Sequence, residues 1–120
     1  MRLALLPVLL AAAPAFAADG AALFETHCAS CHAAVSGAPA GAGPNLAGLV
    51  GRAVAGDRDY DYSPALRAAR DAGEVWDRAS LERFLRDPEE MFPGIWMGGT
   101  SLRSDADRAA IAAYLTGKAQ

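Results

Sequence analysis

Cysteine is nearly absent from this chain: of its 120 residues only Cys28 and Cys31 carry a thiol. Two cysteines three positions apart make no disulfide framework, and a bridge between them is sterically poor within one helical turn. Lysine occurs once, at Lys118, and the 11 basic residues are outnumbered by 14 acidic ones, for a net charge of −3. That balance excludes the basic patch of a nucleic-acid binder. Long apolar runs are missing as well. The longest, residues 3–13, falls short of the roughly 20 residues a membrane-spanning helix needs. No segment alternates apolar and polar residues at a period of two, so there is no strand signal. No repeat is visible. The carboxylates are scattered as on solvated helix faces, leaving no catalytic constellation.

The N-terminus reads as an export leader. Arg2 supplies a minimal positive start, the apolar stretch follows, and Ala15-Phe16-Ala17 places small residues where a signal peptidase reads. Cleavage is expected after Ala17, with Ala18 as the alternative. The remaining domain, residues 18–120, has 103 residues (120 minus 17) and, without Arg2, 10 basic against 14 acidic side chains, about −4. A domain of that size buries a limited share of its surface, and a large cofactor fixed inside it would add to the core. The expected location is the periplasm or another exported compartment.

Residues 20–32 read as a helix, with Leu23, Phe24, His27, Cys28 and Cys31 recurring at steps of three and four. Residues 33–62 hold eight glycines and prolines in irregular spacing, a loop too long for a compact domain unless it wraps something other than another element. Ser63-Pro64 starts a helix reaching about Ala72. Asp77 caps another through Arg86, with Leu81, Phe84 and Leu85 inward and Pro88 as its limit. Ser104 opens the last helix, with Asp107 three residues on. Its apolar stripe is Ala110, Ile111, Tyr114 and Leu115, and Gly117 and Lys118 suit its end. The expected fold class is all-α.

Cys28-Ala29-Ser30-Cys31-His32 carries the chemistry. Two thiols on neighbouring points of one turn can each add to a vinyl group of haem, and the adjacent His32 then sits as an axial ligand of the iron; Cys-x-x-Cys-His is the attachment signal of c-type haem. A thioredoxin-like redox pair would need a βαβ context, and a structural zinc needs four ligands where only His27 remains besides these. Candidates for the second axial ligand are His27, Met91 and Met97. His27 adjoins Cys28 and cannot swing to the opposite haem face. Met91 suits core filling. Met97 follows Pro93-Gly94-Ile95-Trp96, 65 residues beyond His32 (97 minus 32), far enough to cross the haem. Met97 is the expected ligand, with Met91 or an open, water-bound position as alternatives.

On these motifs the chain resembles the class I c-type cytochromes over essentially all of residues 18–120. Gly43-Pro44-Asn45-Leu46 with Gly48-Leu49 and Gly51-Arg52 is similar to the segment after the attachment helix. Pro93-Gly94 with Met97 is similar to the methionine loop, and Ile111-Ala112-Ala113-Tyr114-Leu115 to the C-terminal helix. The resemblance implies the cytochrome c fold: N- and C-terminal helices crossing, short helices and long loops around one covalently bound haem c. It implies that the Pro44 carbonyl binds the other ring nitrogen of His32, fixing its tautomer, and that Arg52, Tyr62 and Trp76 stand on the propionate side. Gly20 and Phe24 match the helix crossing near Tyr114. The chain departs from the family pattern at Ile95, where a threonine is usual, at Phe84, usually tyrosine, and at Gly99, usually an aromatic shield that Trp96 could replace. These departures leave the ligand set intact and bear on the tuning of potential.

Residues and resemblance together imply a single-haem electron carrier, not an enzyme, that exchanges electrons with protein partners and is monomeric. A fixed relay subunit of a larger oxidoreductase complex is the alternative, and a haem with an open sixth position is a more distant one. Family lysines around the haem edge are replaced here by Glu89, Glu90 and Trp96, while Arg103 remains. Docking is therefore expected to be apolar, through Trp96, or directed to a basic partner.

Overall fold

In the computed structural model, residues 3–4, 6–11 and 19–116 are described. They form five helices: α1 Gly20–His27, α2 Pro64–Asp71, α3 Arg78–Arg86, α4 Pro88–Met91 and α5 Asp105–Tyr114. Among the described residues β pairing is limited to two isolated bridges, Val50 with Thr116 and Ala53 with Val75. The expected cleavage site, Gly117 and Lys118 lie outside the described residues.

Local signals set most helix starts. Ser63 Oγ accepts from the Leu66 amide, with Pro64 at the first helical position. Asp77 accepts from Ser80 N at 2.7 Å while Ser80 Oγ bonds the Asp77 amide at 3.0 Å, closing a reciprocal capping box. Ser104 Oγ accepts from Asp107 N at 3.0 Å. Pro88 does more than limit α3: with Asp87 as cap it starts the one-turn α4, whose last residue is Met91.

One boundary differs from expectation. The first helix ends at His27 and does not continue to His32. Cys28 leaves helical geometry (φ −125°), and Phe24 O accepts from both Cys28 N and Ala29 N, opening the last turn. The residues that follow make one separate turn, with Cys31 N and His32 N both donating to Cys28 O. Cys31 O accepts from Gly43 N at 2.8 Å and Ala33 O from Leu46 N at 2.8 Å, so the backbone after Cys28 is drawn toward residues 43–46.

α1 crosses α5 through close backbone approach. A Cβ on Gly20 would run into Ala110 O and lie 2.9 Å from Tyr114 Cβ, so only glycine allows this separation. Phe24 and Tyr114 fill the crossing, ring centroids 5.5 Å apart. α3 also packs on α5, and Leu81, Ile111 and Leu115 are almost wholly buried. Trp76, Phe84 and Phe92 form an edge-to-face and tilted cluster with centroids 5.1–6.1 Å apart. Each such contact adds to simple burial.

The 33–62 segment has no helix, and side chains bond several of its backbone groups. Asn45 Nδ2 donates to Val35 O and Ala38 O, Asp57 Oδ2 accepts from Asn45 N, and Arg52 Nη1 donates to Asn45 O and Ala47 O. Side chains thus replace the missing helical ladder. The apolar N-terminal residues do the opposite: Leu3, Leu6, Val8, Leu9 and Leu10 stand exposed.

Candidate haem site

The helices and the 33–62 loop close around a cavity and not around a filled centre. Its volume is about 260 Å³. Protein interiors pack like organic crystals and rarely leave voids beyond a water molecule. A hollow of this size in a chain of this length is built for a large occupant. Its walls are apolar, with Leu49, Leu66, Leu81, Phe84, Leu85, Ile111 and Leu115 among them.

The polar groups at its border are the ones the sequence singles out. Cys28, Cys31 and His32 line it from the turn after α1, and Met97 from the segment after α4. Met91 and His27 are not among its lining residues: Met91 packs against the core, and His27 Nδ1 lies 3.0 Å from Ser101 Oγ. His32 Nδ1 is 2.8 Å from Pro44 O. A neutral imidazole donates to that carbonyl through Nδ1–H and leaves Nε2 with a free lone pair, the form that binds a metal. Burial pushes the imidazole below its ordinary range, and the Pro44 bond pulls partly the other way. Burial thus favours the neutral ring. Burial also raises the Cys28 thiol.

Gly43 makes room for this arrangement. A Cβ there would meet His32 Cε1 inside van der Waals contact, with Nδ1 at 2.7 Å and Nε2 at 3.0 Å. The backbone thus lies flat against the ring it orients through the next residue.

Arg52, Tyr62 and Trp76 all line the same cavity. Arg52 is held by two carbonyls, as above. Tyr62 is buried, and its oxygen accepts from Asp57 N at 3.0 Å, leaving its own proton to donate. Burial raises its phenol above the ordinary value. Trp76 is buried edge-on to Phe84. Tyr60, which sequence reasoning passed over, also lines the cavity and donates to Ala42 O at 3.1 Å. A tyrosine between aspartates in a loop carries no local signal of that role. Trp96 lines the cavity yet is 60% exposed.

An apolar hollow bordered at one place by two thiols and a neutral imidazole, elsewhere by a thioether, and elsewhere by an arginine and a tyrosine fits a large flat apolar group with a metal at its centre and acids at one edge. Fold and site together define a c-type haem protein. Comparison with known proteins agrees. The Cytochrome c family model matches residues 17–117. A cytochrome c2 of Agrobacterium tumefaciens is 38% identical over 98 residues, 82% of this chain and 87% of its own length. Cytochromes c of Theileria annulata (40% identical, 82% of each chain) and Chlamydomonas reinhardtii (37%, covering 82% and 85%) are similar to comparable extents. The chain belongs to the cytochrome c family. It is accordingly a single-haem electron carrier with covalently attached haem c, acting with redox partners, and not an enzyme.

Proposed function

We propose that Cys28 and Cys31 hold the haem through two thioethers and that His32 and Met97 are the axial ligands of its iron. The carrying observation is that one cavity is lined by both cysteines, His32 and Met97 and by neither His27 nor Met91. When bound, the haem supplies a one-electron change at iron. The chain's own residues set the conditions for it. Pro44 fixes the tautomer and orientation of His32, and such a carbonyl partner raises ligand basicity. A methionine opposite a histidine raises the potential, and apolar walls disfavour the extra charge of ferric iron. Arg52, Tyr62 and Trp76 would hold the propionate edge, the arginine supplying charge and the tyrosine a donor. Filled axial positions favour outer-sphere transfer over substrate chemistry.

The same reading places residues 1–17 in a leader removed on export to the periplasm, leaving a monomer of residues 18–120. The exposed side chains of Leu3, Leu6, Val8, Leu9 and Leu10 support it, since they contribute nothing to the core.

The optical spectrum of the ferric protein tests the ligand set. A near-infrared band from methionine-to-iron charge transfer is expected in the native protein and in Met91→Ala, and is expected to vanish in Met97→Ala. Loss of the band in Met91→Ala instead would transfer the role to Met91. Intact mass under denaturing conditions reads the rest: one haem retained, and a chain beginning at Ala18.

A further inference from the structure

The segment after Met97 is fastened to the body of the protein on one side by buried and half-buried groups. Thr100 Oγ1 donates to Leu85 O at 2.8 Å, tying it to α3. Leu102 is buried, and its carbonyl accepts from Nη1 of the buried Arg108 of α5 at 2.8 Å. Between these residues stands Ser101, whose φ is +57°. That is the left-handed region, where a β-carbon crowds the backbone and glycine is the usual occupant. Ser101 keeps its side chain, and the side chain has a partner: its hydroxyl lies 3.0 Å from His27 Nδ1, across 74 residues of sequence. A hydroxyl donates or accepts, so either ring tautomer can make this bond.

The partner's position gives the contact its meaning. His27 is the last residue of α1 and directly precedes Cys28. Ser101 follows Met97 by four residues, through Gly98 and Gly99, where a Cβ would meet nothing within 4 Å. No side chain packs that stretch down. The His27–Ser101 bond therefore joins the segment that carries the thiols to the segment that carries the methionine, adding to the Thr100 and Leu102 anchors a tie to the attachment segment just beyond the unpacked Gly98-Gly99 stretch.

We propose that His27 and Ser101 form a latch that positions the Met97 segment and limits its opening. The inference rests on Met97 being an axial ligand. Neither residue lines the cavity, so they are positioning residues that act through the segment between Ser101 and Met97. The latch explains the strained serine: the hydroxyl that glycine would lack is what holds the loop.

The test follows entry of imidazole into the ferric holoprotein, read as loss of the near-infrared band in a stopped-flow experiment. His27→Ala and Ser101→Ala should each speed entry roughly fivefold, the worth of one ordinary hydrogen bond. The double variant should be no faster than either single, because both remove the same contact. Ser101→Gly separates latch from scaffold: it relieves the backbone strain and so should not lower the melting temperature, yet it should admit imidazole as fast as Ser101→Ala. Unchanged entry in the single variants, or effects that multiply in the double, would overturn the latch while leaving the ligand assignment standing. A band that persists in Met97→Ala overturns both. If His27→Ala fails to mature because of its place beside the attachment sequence, the two Ser101 variants decide the matter by themselves.

Discussion

The most incisive perturbation of the site is a single methyl group at Gly43. Gly43 is buried and its φ lies outside the left-handed region, so alanine meets no backbone objection there. The objection is steric and has one target: the new Cβ would sit against the His32 ring, 2.7 Å from Nδ1 and 3.0 Å from Nε2. That ring cannot turn aside without leaving Pro44 O, 2.8 Å from Nδ1. Overpacking of this kind costs about 1–3 kcal/mol, and loss of the hydrogen bond adds about 1 kcal/mol. In a domain near 100 residues each kcal/mol moves the melting temperature by about 4–8 °C, so Gly43→Ala should lower it by at least roughly 8 °C. Gly41→Ala is the matched control. It lies in the same loop, also outside the left-handed region, and its Cβ would make only an ordinary 3.9 Å contact with Cys31 O. It should be neutral or slightly stabilising, since alanine narrows the unfolded ensemble. Thermal melts of the two holoproteins, with their optical spectra alongside, make the comparison. Equal melting temperatures and identical spectra would show that His32 is not pinned between Gly43 and Pro44, and the account of its orientation would fall.

Two further outcomes follow from the fold and its charges. Gly20→Ala should destabilise by about 1–3 kcal/mol in denaturant titration, because its Cβ would strike Ala110 O, a backbone atom of α5 that cannot rotate away; an unchanged midpoint would mean that the helices part freely. Asp77, held down by its bonds to Ser80, and Asp105, held down by Arg108 and Arg86, both have carboxyl pKa values below the ordinary one. Their contribution is therefore present above the unfolded value near pH 4 and is lost as pH falls through the lower folded values. Native stability should drop on acidification below about pH 4, and Asp105→Asn should flatten part of that slope; an unaltered slope would contradict the assignment to Asp105.

What the sequence by itself determined was local or covalent. The attachment residues Cys28, Cys31 and His32 are readable because their chemistry depends on adjacency along the chain. Ser63, Asp77 and Ser104 are readable as caps because each bonds an amide three residues away. The crossing at Gly20 and Phe24 was legible only through family resemblance, since a glycine at a helix start has several ordinary uses. Tertiary structure decided whatever depends on distant partners. It ended α1 at His27, where Phe24 O takes both the Cys28 and the Ala29 amide, and it tied the carbonyls of Cys31 and Ala33 to the amides of Gly43 and Leu46. It brought Met97 and not Met91 to the cavity wall, although the two lie six residues apart: Met91 ends α4 against the core, and the chain beyond Met97 is tied to Leu85, Arg108 and His27. It gave Tyr60 a place in the wall and Ser101 a partner 74 residues away. A hydrogen bond between distant residues has no periodicity and leaves no composition signal. It exists only once the chain has closed around the hollow it is built to fill.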